Sequence, residues 1–167
     1  VEHNVADLCE RQTEAPRERW LTDREIKKLW GVIDDATSKD TALIYRLLLA
    51  TGQREMEVLG MRWADLDFEK GEWVIPAEQT KSSRTQLVPM SALFLKLLKG
   101  REKTSEWVFP RSPHAKRGSS TRLSRSSFAN PHRKVVEAAG IDYFRFHDLR
   151  KTLTTHLGEL GFDEFIG

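Results

Sequence analysis

The chain has 167 residues, a formal net charge of +2, five histidines and one cysteine, Cys9, a length that suits one domain with a sizeable core. No apolar run reaches a membrane span and the first residues do not read as a secretion signal, while a lone cysteine cannot close an internal disulfide, so a reducing cytoplasm is the expected setting. The histidines and the cysteine reproduce no zinc spacing and no Gly-x-Ser-x-Gly elbow occurs, which argues against a zinc site and against a serine hydrolase.

Residues 1–19 are polar, charged and without periodicity, and read as a linker; residues 20–167 read as the folded domain. Thr22-Asp23-Arg24-Glu25 forms a capping box that opens a helix with Ile26, Leu29, Trp30 and Ile33 at helical spacing. Asp40 or Thr41 is expected to cap a second, buried helix through Leu43, Ile44, Leu47 and Leu48, ending at Thr51-Gly52. Arg54 opens a third helix reaching about Gly60, with Glu57 one turn on. The period then changes: Leu66-Asp67-Phe68, a turn over 69–72, and Trp73-Val74-Ile75 predict a hairpin, with Thr85 to Val88 as a third strand and Lys81 on the connecting loop. Ser91 starts a helix through Leu98. Residues 111–127 carry Ser, Arg and Lys without one acid, and read equally as a DNA-facing loop or a polar connection. A helix from about Ser127 to Ala139 precedes the one that holds His147 and Arg150 and closes near Gly161, and Phe162 to Ile166 begins another. The fold class is α+β, mostly helical with a small three-stranded antiparallel sheet.

Charge is unevenly spread along this order. Residues 1–100 carry 15 basic and 17 acidic side chains, residues 101–151 carry 12 and 5, and the last 16 have three acids and no Lys or Arg. A basic block suits a phosphate backbone as well as it suits a solvated face. His147 and Arg150, three apart, share a helix face. Arginine offers a planar fork of donors to phosphate oxygens, and histidine moves protons near neutral pH. Trp63, Trp73 and Trp107 sit in apolar contexts and are expected in the core, His132 and His156 in packing or surface roles, and Tyr45 and Tyr143 in structural ones.

Four separated motifs then occur in order: Thr51-Gly52-Gln53-Arg54 with Glu57, Leu59 to Trp63-Ala64-Asp65-Leu66-Asp67, Thr80-Lys81 before Val88-Pro89, and His147-Asp148-Leu149-Arg150-Lys151-Thr152. Together they resemble the catalytic domain of the tyrosine recombinases, most closely the integrases of phages and genomic islands, from about Leu21 to the last residue. The resemblance implies a prokaryotic or phage-encoded enzyme that cuts and rejoins double-stranded DNA through a 3′-phosphotyrosine, with no metal or cofactor. It implies that Arg54 and Arg150 bind the phosphate, that Lys81 protonates the leaving 5′-oxygen, that His147 accepts a proton or binds phosphate, and that Glu57 organises the site.

A type IB topoisomerase uses a similar residue set, and a DNA-binding remnant without catalysis is the reading from another class. The sequence departs from the family in ending at Phe165-Ile166-Gly167, before the expected second histidine or tryptophan and the nucleophilic tyrosine. The chain therefore reads as a truncated catalytic domain, expected to be monomeric alone while the full-length protein is multimeric on DNA. Incubated with duplex DNA, this 167-residue chain is expected to form no covalent adduct on a denaturing gel, and a shifted band would overturn that expectation.

Overall fold

Helix α2 (Lys39–Thr51) is apolar on nearly every side, and the other elements are arranged to cover it. Thr41 to Tyr45, Leu47 and Leu48 are all buried, and the helix packs against α1 (Asp23–Ala36), α3 (Glu55–Leu59), α4 (Ala92–Leu98) and α6 (Phe146–Glu159), while α5 (Ala129–Ala139) packs on α1. The structure is a computed structural model that describes residues 18–110, 123 and 129–162. The expected linker over 1–19 lies almost wholly outside these residues. So do the basic loop over 111–127, apart from Leu123, the first residues of the helix predicted from Ser127, and the last five of the chain.

Local sequence explains most element ends. The Thr22 side chain accepts the Glu25 N–H while the Glu25 carboxylate takes the Thr22 N–H at 2.9 Å, which completes the expected capping box. Arg19 adds a salt bridge of 2.6 Å to Glu25 and, with the Thr22 bonds, holds its carboxyl down at about 2. Helix α2 corrects the sequence reading: its cap is Ser38, whose hydroxyl accepts the Thr41 N–H at 3.2 Å, and not Asp40 or Thr41. Ser38 has the extended backbone that a cap needs. Asp40 lies inside the first turn and pairs with Arg101 at 2.8 Å.

The sheet runs β1 (Leu66–Asp67), β2 (Glu72–Ile75), β3 (Gln86–Pro89) in spatial order, both pairs antiparallel. Strand β3 is displaced one residue from the expected Thr85–Val88: Val88 opposes Trp73 and Pro89 opposes Glu72. Proline is tolerated at this end of an edge strand because it has no N–H to place in the ladder. Trp73 is 1% exposed, as expected, whereas Trp63 and Trp107 are only half-buried, with Lys103 over Trp63 and Arg62 over Trp107. Cation–π contact thus replaces full burial for these two rings.

Tyr45 and His132 make a polar link through the core. The Tyr45 hydroxyl lies 2.5 Å from His132 Nδ1, and His132 Nε2 lies 2.6 Å from the Phe144 carbonyl. A carbonyl only accepts, so Nε2 carries the proton and Nδ1 accepts from the tyrosine. Burial holds the imidazole below its usual pKa, opposed by the Phe144 carbonyl and by Asp148. The unfolded chain takes up a proton on this histidine near pH 6.5, which the buried ring refuses until lower pH. Its contribution to stability is therefore complete above that pH and declines as pH falls toward the folded-state value. Urea unfolding at pH 7.5 and at pH 5.5 should show the lower midpoint at 5.5; an unchanged or higher midpoint would contradict the buried neutral histidine.

Candidate active site

The turn that joins α2 to α3 sets the first half of the site. Gly52 ends α2 in the left-handed region, φ 62°, with its N–H bonded to the Leu48 carbonyl at 2.9 Å. Two residues later Arg54 is the N-cap of α3, and its side chain cannot accept the bonds that a serine or aspartate cap would. Glu57 compensates. Its Oε2 accepts the Arg54 backbone N–H at 2.7 Å and its Oε1 accepts Nη1 of the same arginine at 3.1 Å. Glu57 is 1% exposed while the Arg54 side chain keeps 40% of its surface open, so the acid is sunk in the fold and the guanidinium is presented outward.

Helix α6 begins the same way. Arg145 is extended at its N-cap and the Asp148 carboxylate reaches back to the Arg145 N–H at 2.7 Å. His147 follows as the second helical residue and is exposed, and Arg150 lies one turn on, half-buried. The Arg150 Nη1 donates to the Gly52 carbonyl at 2.7 Å, joining segments 98 residues apart. Burial, then the neighbouring Arg54 charge, lowers the Arg150 pKa, with Glu57 opposing; arginine remains charged throughout. The third contribution comes from the β2–β3 connection, where a 3-10 turn (Ala77–Gln79) leads into buried Thr80 and exposed Lys81.

All five residues singled out from sequence, Arg54, Glu57, Lys81, His147 and Arg150, line one cleft of about 500 Å³. Trp63, Trp107, His132 and His156 stand away from it. His156 is tied to the Leu21 carbonyl at 3.1 Å and Glu159 at 3.2 Å. Sequence reasoning missed two amides on the same walls, Gln53 and Gln79, whose Oε1 and Nε2 atoms respectively are buried without a partner. Gln53 lies within the Thr51-Gly52-Gln53-Arg54 motif without having been singled out, and no residue pattern marks Gln79. It also missed the Gly52 carbonyl as the anchor of Arg150, since a backbone oxygen carries no sequence signal beyond the glycine itself. Among the described residues no group of three or more His, Cys, Asp or Glu could hold a metal ion, and no helix is long and apolar enough to cross a membrane.

Residues 19–165 match the model of the phage integrase family. The chain is 29% identical over 157 residues to the integrase of Salmonella phage P22, covering 90% of this chain and 39% of that protein. It is 31% identical over 145 residues to the tyrosine recombinase XerA of Pyrococcus furiosus, covering 86% and 49% respectively. The chain thus spans half or less of the length of these curated relatives. Its fold is similar to that of a lambda integrase solved as a tetramer bound to a Holliday junction, with a TM-score of 0.70, 18% identity, and coverage of 99% of this chain and 50% of that one.

Gly52 is constrained twice. A Cβ there would lie 2.8 Å from Cδ2 of Leu153 on α6, in a backbone region that side chains disfavour. Gly52→Ala should cost about 1–2 kcal/mol of stability in urea unfolding, from the left-handed strain, with the end of the Leu153 side chain turned aside. A loss below roughly 0.5 kcal/mol would show that the turn does not hold residue 52 in the left-handed region.

Proposed function

Because the chain belongs to the phage integrase family, we propose that it supplies the phosphate-activating side of a site-specific DNA recombinase that works through a 3′-phosphotyrosine. One observation carries this reading: two arginines, a lysine and a histidine from three distant segments line a single cleft. In the proposed reaction a tyrosine oxygen bonds to phosphorus as the bond to the 5′-oxygen breaks. His147 takes the tyrosine proton, and Lys81 gives a proton to the departing oxygen, which would otherwise leave as a poor alkoxide. Arg54 and Arg150 meet the charge that gathers on the nonbridging oxygens, each contributing roughly 3 kcal/mol to the transition state. Glu57 holds Arg54 in place without touching the phosphate.

Neither of the two tyrosines in the sequence is assigned the nucleophile's role. The Tyr45 hydroxyl is committed to His132 inside the core, and Tyr143, 52% exposed, precedes α6 and is not on the cleft wall. The family resemblance places that tyrosine beyond α6. Double-stranded DNA is the proposed partner, with the basic residues of 101–151 as its electrostatic attraction and assembly into multimers on the DNA by the full-length protein. The integrase and recombinase names of the relatives favour strand exchange over a type IB topoisomerase. Localisation to the cytoplasm of a prokaryote follows from the same proposal, as does independence of any cofactor.

The test uses the full-length gene product and duplexes spanning the ends of the element that encodes it. Wild type should form a covalent protein–DNA adduct under single-turnover conditions, and Arg54→Ala or Arg150→Ala should slow it by about 10²–10³-fold. Arg150→Lys should restore little, because lysine lacks the planar fork that can bond Gly52 and a phosphate together. Salt-dependent binding with no adduct from wild type would replace this reading with that of a DNA-binding remnant.

A further inference from the structure

The connection between β2 and β3 has one buried residue at the head of an exposed run. Residues 81–85 are all exposed, yet Thr80 keeps only 8% of its surface. Its hydroxyl donates to the Arg84 carbonyl at 2.8 Å and accepts the Arg84 N–H at 3.1 Å, with the Ala77 carbonyl at 3.1 Å as the alternative acceptor for the same proton. Main-chain bonds reinforce the closure: Thr80 N–H to the Ala77 carbonyl at 3.2 Å and Ser83 N–H to the Thr80 carbonyl at 3.3 Å. Ser83 adopts φ 52°, the one left-handed residue other than glycine among those described. A side-chain-bearing residue accepts that conformation only where its surroundings enforce it.

The first residue inside this closed loop is Lys81, exposed, on the cleft wall, and with no side-chain partner among the described residues. Among the described residues, therefore, only the backbone from which its stem leaves aims its ammonium group. We infer that the Thr80 hydroxyl is a positioning residue for Lys81, closing residues 80–84 so that the lysine stem is directed at the oxygen that leaves during strand cleavage. This rests on the proposed reading of Lys81 as the proton donor. In that step the electron pair of the broken phosphorus–oxygen bond goes to the 5′-oxygen, which takes a proton from Lys81 and leaves it a neutral amine. Removing the hydroxyl leaves the amine in the protein but spreads it over more positions, and a displacement of about 1 Å can cost on the order of 100-fold in rate.

A substrate with sulfur in place of the bridging 5′-oxygen separates positioning from general structural damage, because a thiolate leaves without needing a proton. Single-turnover cleavage by the full-length gene product is measured on oxygen and sulfur substrates for wild type, Thr80→Val, Thr80→Ser and Lys81→Ala, with duplex affinity alongside. Thr80→Val should slow cleavage of the oxygen substrate by about 10–100-fold and leave the sulfur substrate near the wild-type rate. Thr80→Ser, which keeps the hydroxyl, should match wild type on both. Equal slowing of both substrates by Thr80→Val, or no slowing of either, overturns the inference. If Lys81→Ala is rescued by sulfur and Thr80→Val is not, the role of Thr80 alone falls. If Lys81→Ala stays slow on sulfur, the proton-donor reading falls and takes this inference with it. The Arg84 backbone groups are on an exposed residue where water can replace the threonine, so Thr80→Val does not put the fold at stake.

Discussion

A carboxylate that is 1% exposed must find partners or stay protonated, and Glu57 is the point on which this structure turns. Its two oxygens are committed to one residue, the backbone and the guanidinium of Arg54. That single commitment satisfies an N–H at the start of α3, neutralises the buried acid, and fixes the direction of a cation that remains 40% exposed. Replacing any of the three groups would leave a buried charge or a loose arginine, so the helix start and the outward-facing cation are one feature.

Arg150 is held on a different principle. Its anchor is the uncharged Gly52 carbonyl, so its charge is oriented without being cancelled. Together with Arg54 and Lys81 it leaves the cleft with three cations against the acid Glu57 that grips one of them, and with the Glu55 carboxylate elsewhere on the wall. Two arginines close enough to lower the pKa of one repel each other. The fold holds that repulsion in place through α2, whose buried faces carry both the turn and the packing of α6.

The parts legible in the sequence were those set by local chemistry. The capping box at Thr22, the glycine end of α2, the hairpin around residues 69–72 and the buried helix faces all follow from short-range pattern. The site residues were legible through a motif resemblance, because spacing alone relates Arg54 to Glu57 and His147 to Arg150 but cannot relate the two pairs. What escaped was decided by tertiary geometry: Ser38 in place of Asp40 as the cap, the one-residue displacement of β3, and the half-burial of Trp63 and Trp107 under cationic side chains. The Gly52 carbonyl and the Thr80 hydroxyl escaped for the same reason. Their partners are chosen by the path of the chain, and neither residue type announces that choice.

The bond between Arg150 and Gly52 spans 98 residues of sequence, which bears on how the site comes into being during synthesis. A ribosome delivers α2, α3 and the sheet well before α6 emerges, and at about 5–20 residues per second that interval lasts seconds. Through that time the Arg54 half exists with no second arginine beside it. The two-arginine cleft therefore comes into being only once α6 has emerged and Arg150 can reach back to Gly52, and until then the turn waits for a partner that is not yet made.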